Sequence, residues 1–458
     1  MKRIYYIMLA VAGGLAFASC GIYNRYNPKE EVRSDLYGKD VEQSGNSGEN
    51  LGKLEWKELF TDPQLQSLID SALVRNADLR KARLQVEAAR AMVKAARLSY
   101  LPSFALAPQG TVSYIDPASS TSYTYNLPLA ASWEIDIFGK LTNQKRSAVM
   151  AMEQSKEYAQ AVRCQVIATV ANLYYTLITL DEQLEISRES AASWEKSMQM
   201  TKDMMEAGLT TDVAVAQTEA AWYAVRASVD DLEEQVKLTE NALSLMLFDV
   251  PGKISRGDWN SQSFPKNFQV GLPVDLLSNR PDVRMAEAAL AQAFYQTNEA
   301  RASFYPSIVL SGSGGWTNLV GDVIMNPAEF VANAVAKLTQ PLFAQGKLTA
   351  QLRAAKAAQE QAAINFEYAL LEAGKEVNEA LLQYQTALDK SDVLGLQVES
   401  LKRAVDATSL MMDYGSYTYL EVLQAQQSYL SARLAECANR LYMAQGIITL
   451  YDALGGGQ

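Results

Sequence analysis

Apolar residues recur at helical spacing through Leu65, Leu68, Ile69, Leu73 and Leu79, and the pattern continues on alanines to about Tyr100, where Pro102 stops it. Asp62-Pro63 opens this helix with an acidic N-cap and a proline at the first helical position. From Ser103 to Phe138 the period falls to two. Tyr123, Tyr125, Leu127, Leu129, Ala131, Trp133, Ile135 and Ile137 alternate with Thr124, Asn126, Ala130, Ser132, Glu134 and Asp136, and Asp116 to Ser120 reads as a turn, which predicts a hairpin. Beyond Gly139 the spacing is helical again, without a proline, to about Met205. Val170, Leu177, Leu184, Ala191, Met198 and Met205 stand seven apart, as do Val166, Leu173, Leu180, Ser187, Trp194 and Thr201, which predicts coiled-coil packing. Gly208 occupies the place past a helix end where a left-handed residue is needed, and a return helix runs to about Leu247.

The whole succession occurs twice. Asp282 to Leu310 aligns without a gap on Asp78 to Leu106, 204 residues earlier. A second hairpin follows, with Ile308, Leu310, Gly312, Gly314 and Trp316 on one strand, Phe330, Ala332, Ala334, Ala336 and Leu338 on the other, and Asn326-Pro327 between them. The second long helix, Gly346 to about Met412, carries the heptad positions Leu370, Val377, Tyr384, Ser391, Val398, Val405 and Met412, with Ala373, Ala380, Ala387, Leu394, Leu401 and Thr408. Gly415 ends it, Thr418 and Glu421 have capping-box spacing, and the return helix reaches about Leu454. The chain therefore divides into a leader (1–19), a polar tether (20–61), a first repeat (62–250, hairpin 103–138), a linker (251–273) expected to pack with the tether, and a second repeat (274–458, hairpin 305–343).

Composition narrows the functions open to such a chain. It has 458 residues, net charge −11 and no histidine, which argues against nucleic-acid binding and removes the commonest general base and metal ligand. No phosphate loop, nucleophile motif or metal spacing is present, so no catalytic residue, metal or cofactor is expected. The methionines near the tips (Met198, Met200, Met204, Met205, Met411, Met412) read as seam packing rather than a Cu(I) relay. Lys2 and Arg3 precede an apolar run from Ile4 to Phe17, then Ala18-Ser19-Cys20, which is a secretory signal ending in a sequence that resembles a bacterial lipobox. Cys20 is expected to carry the lipid, the only covalent group foreseen, and Cys164 and Cys437 sit in helical patterns as small hydrophobes.

A half-buried soluble sheet shows the same alternation as these hairpins, but aromatics near the strand ends and polar alternate positions favour an outer-membrane barrel. Four strands are too few to close one, and an open edge in lipid leaves backbone groups unpaired. The chain must share its barrel with copies of itself, two or three being open from the residues alone.

Gly271 to Leu290 (GLPVDLLSNRPDVRMAEAAL), Ala300 to Gly312 (ARASFYPSIVLSG), Trp133 to Leu141 (WEIDIFGKL), Gln340 to Leu348 (QPLFAQGKL) and the terminal Leu450 to Gly457 (LYDALGGG) together resemble the TolC-like outer-membrane factors of tripartite efflux pumps, in particular their lipid-anchored branch. The resemblance implies a mainly α chain with a β-barrel portion. Its homotrimer would hold twelve strands in one barrel, with a periplasmic α-helical tunnel and no catalysis. It implies a periplasmic adapter and a resistance-nodulation-division type inner-membrane pump as partners, outer-membrane lipid around the barrel, and drugs, toxic small molecules or metal ions as cargo. By position it assigns adapter docking to the tips Ala207 to Thr211 and Tyr414 to Thr418, with Gly208, Leu209, Thr210, Gly415 and Ser416 foremost, and a periplasmic gate to Glu421 and Gln424. A duct for type I protein secretion and a non-porating, lipid-anchored coiled-coil scaffold are the alternatives, the scaffold leaving the hairpins unexplained.

Overall fold

A computed structural model describes residues 24–27, 36, 49–115, 120–262, 264, 268–269, 279–317, 329–413 and 419–457. In chain order the main elements are β1 (Glu49–Asn50), α1 (Trp56–Leu59), α2 (Pro63–Arg75), α3 (Ala77–Leu98), β2 (Ser103–Leu106), β3 (Gln109–Ile115), β4 (Ser120–Ile135), α4 (Lys140–Glu206) and α5 (Asp212–Met246). Then come β5 (Phe268–Gln269), α6 (Pro281–Ala302), β6 (Ser307–Thr317), β7 (Glu329–Thr339), α7 (Lys347–Asp413) and α8 (Tyr419–Ala453). The duplication is kept to the residue: α4 and α7 each have 67 residues and α5 and α8 each have 35, the second pair lying 207 residues after the first. At 1.5 Å per residue the longer helices measure about 100 Å.

Where the pattern predicts one helix from Asp62 to Tyr100, the structure has two, parted at Asn76. Leu73 and Leu79 keep helical spacing across the break, so periodicity does not reveal it. Asn76 makes it: its Oδ1 accepts from the amides of Asp78 and Leu79, capping α3, while its Nδ2 donates to the Met246 carbonyl. The equivalent position 204 residues on is Arg280, followed by Pro281 at the start of α6.

The chain forms two compact units. The first comprises Met1–Lys29, Leu84–Glu157 and Arg284–Tyr368, and it contains the large sheet. Its strands form two hairpins side by side in one antiparallel sheet, β2 and β3 both on β4, β4 on β6, and β6 on β7. β2 and β3 are one strand interrupted at Ala107-Pro108, since their register on β4 continues unchanged from Leu106↔Leu129 to Gln109↔Asn126. Pro108 has no N–H to give the ladder, and an edge strand tolerates that. Gly315, opposite Pro128, is required by close approach: a Cβ there would lie 2.1 Å from the Leu127 carbonyl oxygen.

The second unit comprises Glu30–Arg83, Tyr158–Val283 and Ala369–Gln458. The heptad positions predicted along α4 are buried from Val166 to Thr201, except Leu173, which is half-buried like Met205 near the end. On α7 burial is complete only at Ala373, Val377, Ala380, Tyr384 and Ala387, and Ser391 to Thr408 are half-buried. Asp62 caps α2 through the Gln64 amide (2.8 Å) and accepts from the Tyr174 hydroxyl (2.6 Å) and Gln262 Nε2 (2.7 Å). The tether meets the linker as a short parallel pairing, Glu49 opposite Phe268 and Asn50 opposite Gln269.

Candidate functional site

The sheet in the first unit has two chemically opposite faces, because ladder partners point the same way and neighbours along a strand point apart. One face carries Phe104 and Leu106, Val112 and Tyr114, Tyr123 to Trp133 at odd numbers, Ile308, Leu310 and Trp316, and Phe330 and Leu338, with alanine and glycine between. Phe104, Leu106, Val112, Tyr114, Leu129, Phe330 and Leu338 are all more than half exposed. The opposite face presents Gln109, Thr111, Thr124, Asn126, Ser313, Thr317 and Asn333, which line a depression of about 280 Å³. Its helical end carries Glu134, ion-paired to Lys140 at 2.9 Å, and Lys337. An exposed apolar face of this extent calls for a non-aqueous neighbour. The two outer strands, β2-β3 and β7, each have one unpaired edge within the described chain.

Where β4 turns into α4, Asp136 caps the helix, accepting from the amides of Leu141 (3.1 Å) and Thr142 (2.7 Å) and from the Thr142 hydroxyl. Gly139 permits the turn with φ +74°, and Phe138 stacks on Tyr305 at 5.0 Å between centroids. The corresponding turn of the second repeat leaves Leu342 and Phe343 93% and 86% exposed.

In the second unit, the tip between α4 and α5 is a Schellman turn. Gly208 has φ +72°, its amide donates to the Met205 carbonyl, and the Leu209 amide donates to that of Met204. Nothing lies within 4 Å of a Cβ built at Gly208, so backbone conformation alone demands glycine. Leu209 is exposed and Thr210 half-buried, which leaves an apolar side chain free at the apex. Gly415, Ser416 and Thr418 of the other tip fall outside the described residues, as does Cys20. Glu421 lies exposed in the first turn of α8; Gln424, one turn on, is also exposed, with Nε2 3.4 Å from the Ser428 hydroxyl.

Sequence reasoning missed the contacts that hold α8 to α4. Arg440 pairs with Glu182, Arg433 with Glu189, and Gln426 Nε2 donates to Ser193 and Ser197. A signal was present, since Gln426, Arg433 and Arg440 are seven apart and so are Glu182 and Glu189. On another side of α4, Arg188 pairs with Glu233 and Lys202 with Glu219 of α5. Cys164 and Cys437 are buried, and burial pushes their thiols up to about 11 and about 12, which makes both inert at neutral pH.

The sheet, the paired long helices and the duplication agree with a match to the family model described as outer membrane efflux protein, over residues 68–247 and 272–456. The chain belongs to the outer membrane efflux protein family. It is 29% identical to the cation efflux system protein CusC of Escherichia coli, over 98% of each chain. It is 30% identical to the probable outer membrane lipoprotein SilC of Salmonella typhimurium, over 90% of this chain and 89% of that one. Among solved structures, the open state of the Neisseria gonorrhoeae MtrE outer membrane channel superposes with a TM-score of 0.83 at 28% identity, covering 95% of this chain and 97% of that one. Family membership gives the two-faced sheet its setting: this efflux protein works in the outer membrane, its helical tunnel in the periplasm, with the apolar face toward lipid and the polar face toward the passage.

Proposed function

We propose that three copies of this efflux protein close one barrel of twelve strands and serve as a passive exit duct. In this reading a periplasmic adapter docks on the tips around Gly208, Leu209, Thr210, Gly415 and Ser416, an inner-membrane pump supplies the energy, and Cys20 carries the lipid anchor. The observation that carries the reading is the sheet, four strand positions wide with two unpaired edges. Edges left open in lipid cost several kcal/mol per unpaired group. Two copies would make eight strands, a barrel whose interior side chains fill, whereas three leave an aqueous lumen. The lumen-facing residues are mostly hydroxyls and amides, which suit a wide solute range and no chemical step. Glu421 and Gln424, repeated around an axis near the tips, would set the narrowest electrostatic ring. Cations, the cargo in CusC's name, are among the substrates that fit such a duct, with metal ions, drugs and other small toxic solutes.

The test uses the internal repeat. Within the chain Ala130 stands opposite Ser313 where the first repeat meets the second. Carrying that junction across by the repeat offsets sets Lys337 of one copy opposite Gln109 of the next. Oxidised membranes bearing Lys337→Cys with Gln109→Cys should show a crosslinked ladder that ends at three chains, and the purified protein should conduct in planar bilayers. A ladder that stops at two chains, or a bilayer without current, overturns the proposal.

A further inference from the structure

The chain is acidic, net −11, yet cations gather where the strands of the first unit meet its helices. Three stretches there hold no acidic residue: 88–101 with Arg90, Lys94 and Arg97; 137–152 with Lys140, Lys145 and Arg146; and 337–359 with Lys337, Lys347, Arg353 and Lys356. Arg90 and Lys140 are neutralised by Glu87 and Glu134. Lys94, Arg97 and Lys145 meet no carboxylate among the described residues, although ion pairs are common along the helices elsewhere.

Lys145 has a built surrounding. Its Nζ stands 5.1 Å over the Tyr100 ring, whose hydroxyl is 2.9 Å from the Thr142 hydroxyl and whose carbonyl accepts from Trp133 Nε1 at 2.9 Å. Trp133 belongs to the lipid-facing face of β4, so this cluster marks the helical end of that face. Lys94 and Arg97 precede Tyr100 at helical three-residue spacing, both exposed, with Leu98 and Leu101 more than half exposed beside them.

We propose that Lys145, over the Tyr100 ring, together with Lys94 and Arg97 on the helix that leads to Tyr100, binds the phosphate of an anionic glycerophospholipid in the membrane leaflet that faces the helices. The inference rests on the outer-membrane setting of the sheet and adds a lipid site to it. A phosphodiester is held best by cations whose charge is not already spent on a carboxylate. A lysine ammonium held over an aromatic ring keeps its charge at the boundary between apolar surface and water. Exposed Phe104, on the strand that follows Tyr100, offers the acyl chains a continuous apolar path.

The full-length protein, purified in a non-ionic detergent, is mixed with phosphatidylglycerol or phosphatidylcholine, and native mass spectrometry counts the retained lipid. Wild type should prefer phosphatidylglycerol, with retention falling roughly five-fold for each of the three charges removed. Lys94→Gln, Arg97→Gln and Lys145→Gln together should retain both lipids alike while conducting as wild type does. The charge-keeping set Lys94→Arg, Arg97→Lys and Lys145→Arg should hold the preference, as should Lys390→Gln with Lys402→Gln, two exposed lysines of the second unit. Equal retention by wild type, an undiminished preference in the neutral set, or its loss in the lysine pair overturns the lipid site. Absence of current from the wild type would instead overturn the duct.

Discussion

Arg440 donates to Glu182 at 2.9 Å, and one heptad along the two helices Arg433 donates to Glu189 at 2.7 Å. Gln426 makes a third rung, 3.1 Å from each of the Ser193 and Ser197 hydroxyls. The rungs zip α8 antiparallel along α4, charged first and neutral last. Both ion pairs are partly exposed, which holds each to about 0.5–1 kcal/mol.

Reversing one rung with Arg433→Glu should therefore speed amide exchange along α8, by roughly ten-fold if lost attraction and new repulsion together approach 1.4 kcal/mol. Adding Glu189→Arg should recover most of the protection. If the double variant exchanges as fast as the single one, the two residues are not coupled.

Gly315→Ala should block assembly of the barrel, because its Cβ has no room against β4, whereas at Gly110 nothing lies within 4 Å of an added Cβ. Heat-modifiable migration on gels would separate them: Gly110→Ala folded, Gly315→Ala not.

Asp62→Ala removes a helix cap and leaves Tyr174 and Gln262 without their acceptor, a loss of about 2–4 kcal/mol. Burial pushes the Asp62 carboxyl up, but the hydrogen bonds from Tyr174, Gln262 and backbone amides outweigh it and hold the group below its ordinary 3.8. The stability this contributes is present above pH 3.8 and is lost as pH falls through the lowered value. Thermal melts should show Asp62→Ala far less stable at pH 7 and nearer to wild type in strong acid.

Glu287 and Glu299 on α6 behave in the opposite sense. Burial raises both carboxyls above their ordinary 4.5, against the lowering pull of Arg284 and Lys140 respectively. Their contribution is fullest below pH 4.5 and is lost as pH rises through the raised values. Glu287→Gln and Glu299→Gln should thus raise the melting temperature at pH 7 by a degree or two and leave it unchanged near pH 4.

Much of this architecture is legible in one dimension. A proline-free run with apolar residues every three and four positions has one regular solution, so the predicted long helices differ from Lys140–Glu206 and Lys347–Asp413 by a single residue at each end. Strict alternation likewise put Leu127, Leu129 and Trp133 on one face of β4. The break at Asn76 was hidden because capping is a matter of one side chain's hydrogen bonds, which apolar spacing does not record. The Arg433 and Arg440 rungs were hidden for another reason: heptads identify the face of a helix that is covered without saying which helix covers it. At the tips, Gly208 was readable because few residues accept its φ, whereas the gate proposed at Glu421 and Gln424 would be formed between copies of the chain.

The long helices of the two repeats are 207 residues apart, while β2 and β6 are 204 apart, so the three extra residues of the second repeat lie between its strands. One residue spliced into either long helix would swing everything beyond it by about 100°, throwing each downstream seam position off its partner. In the sequence, positions 116–119 and 318–328 lie outside every heptad run. An insertion made there would leave every heptad of both long helices in phase.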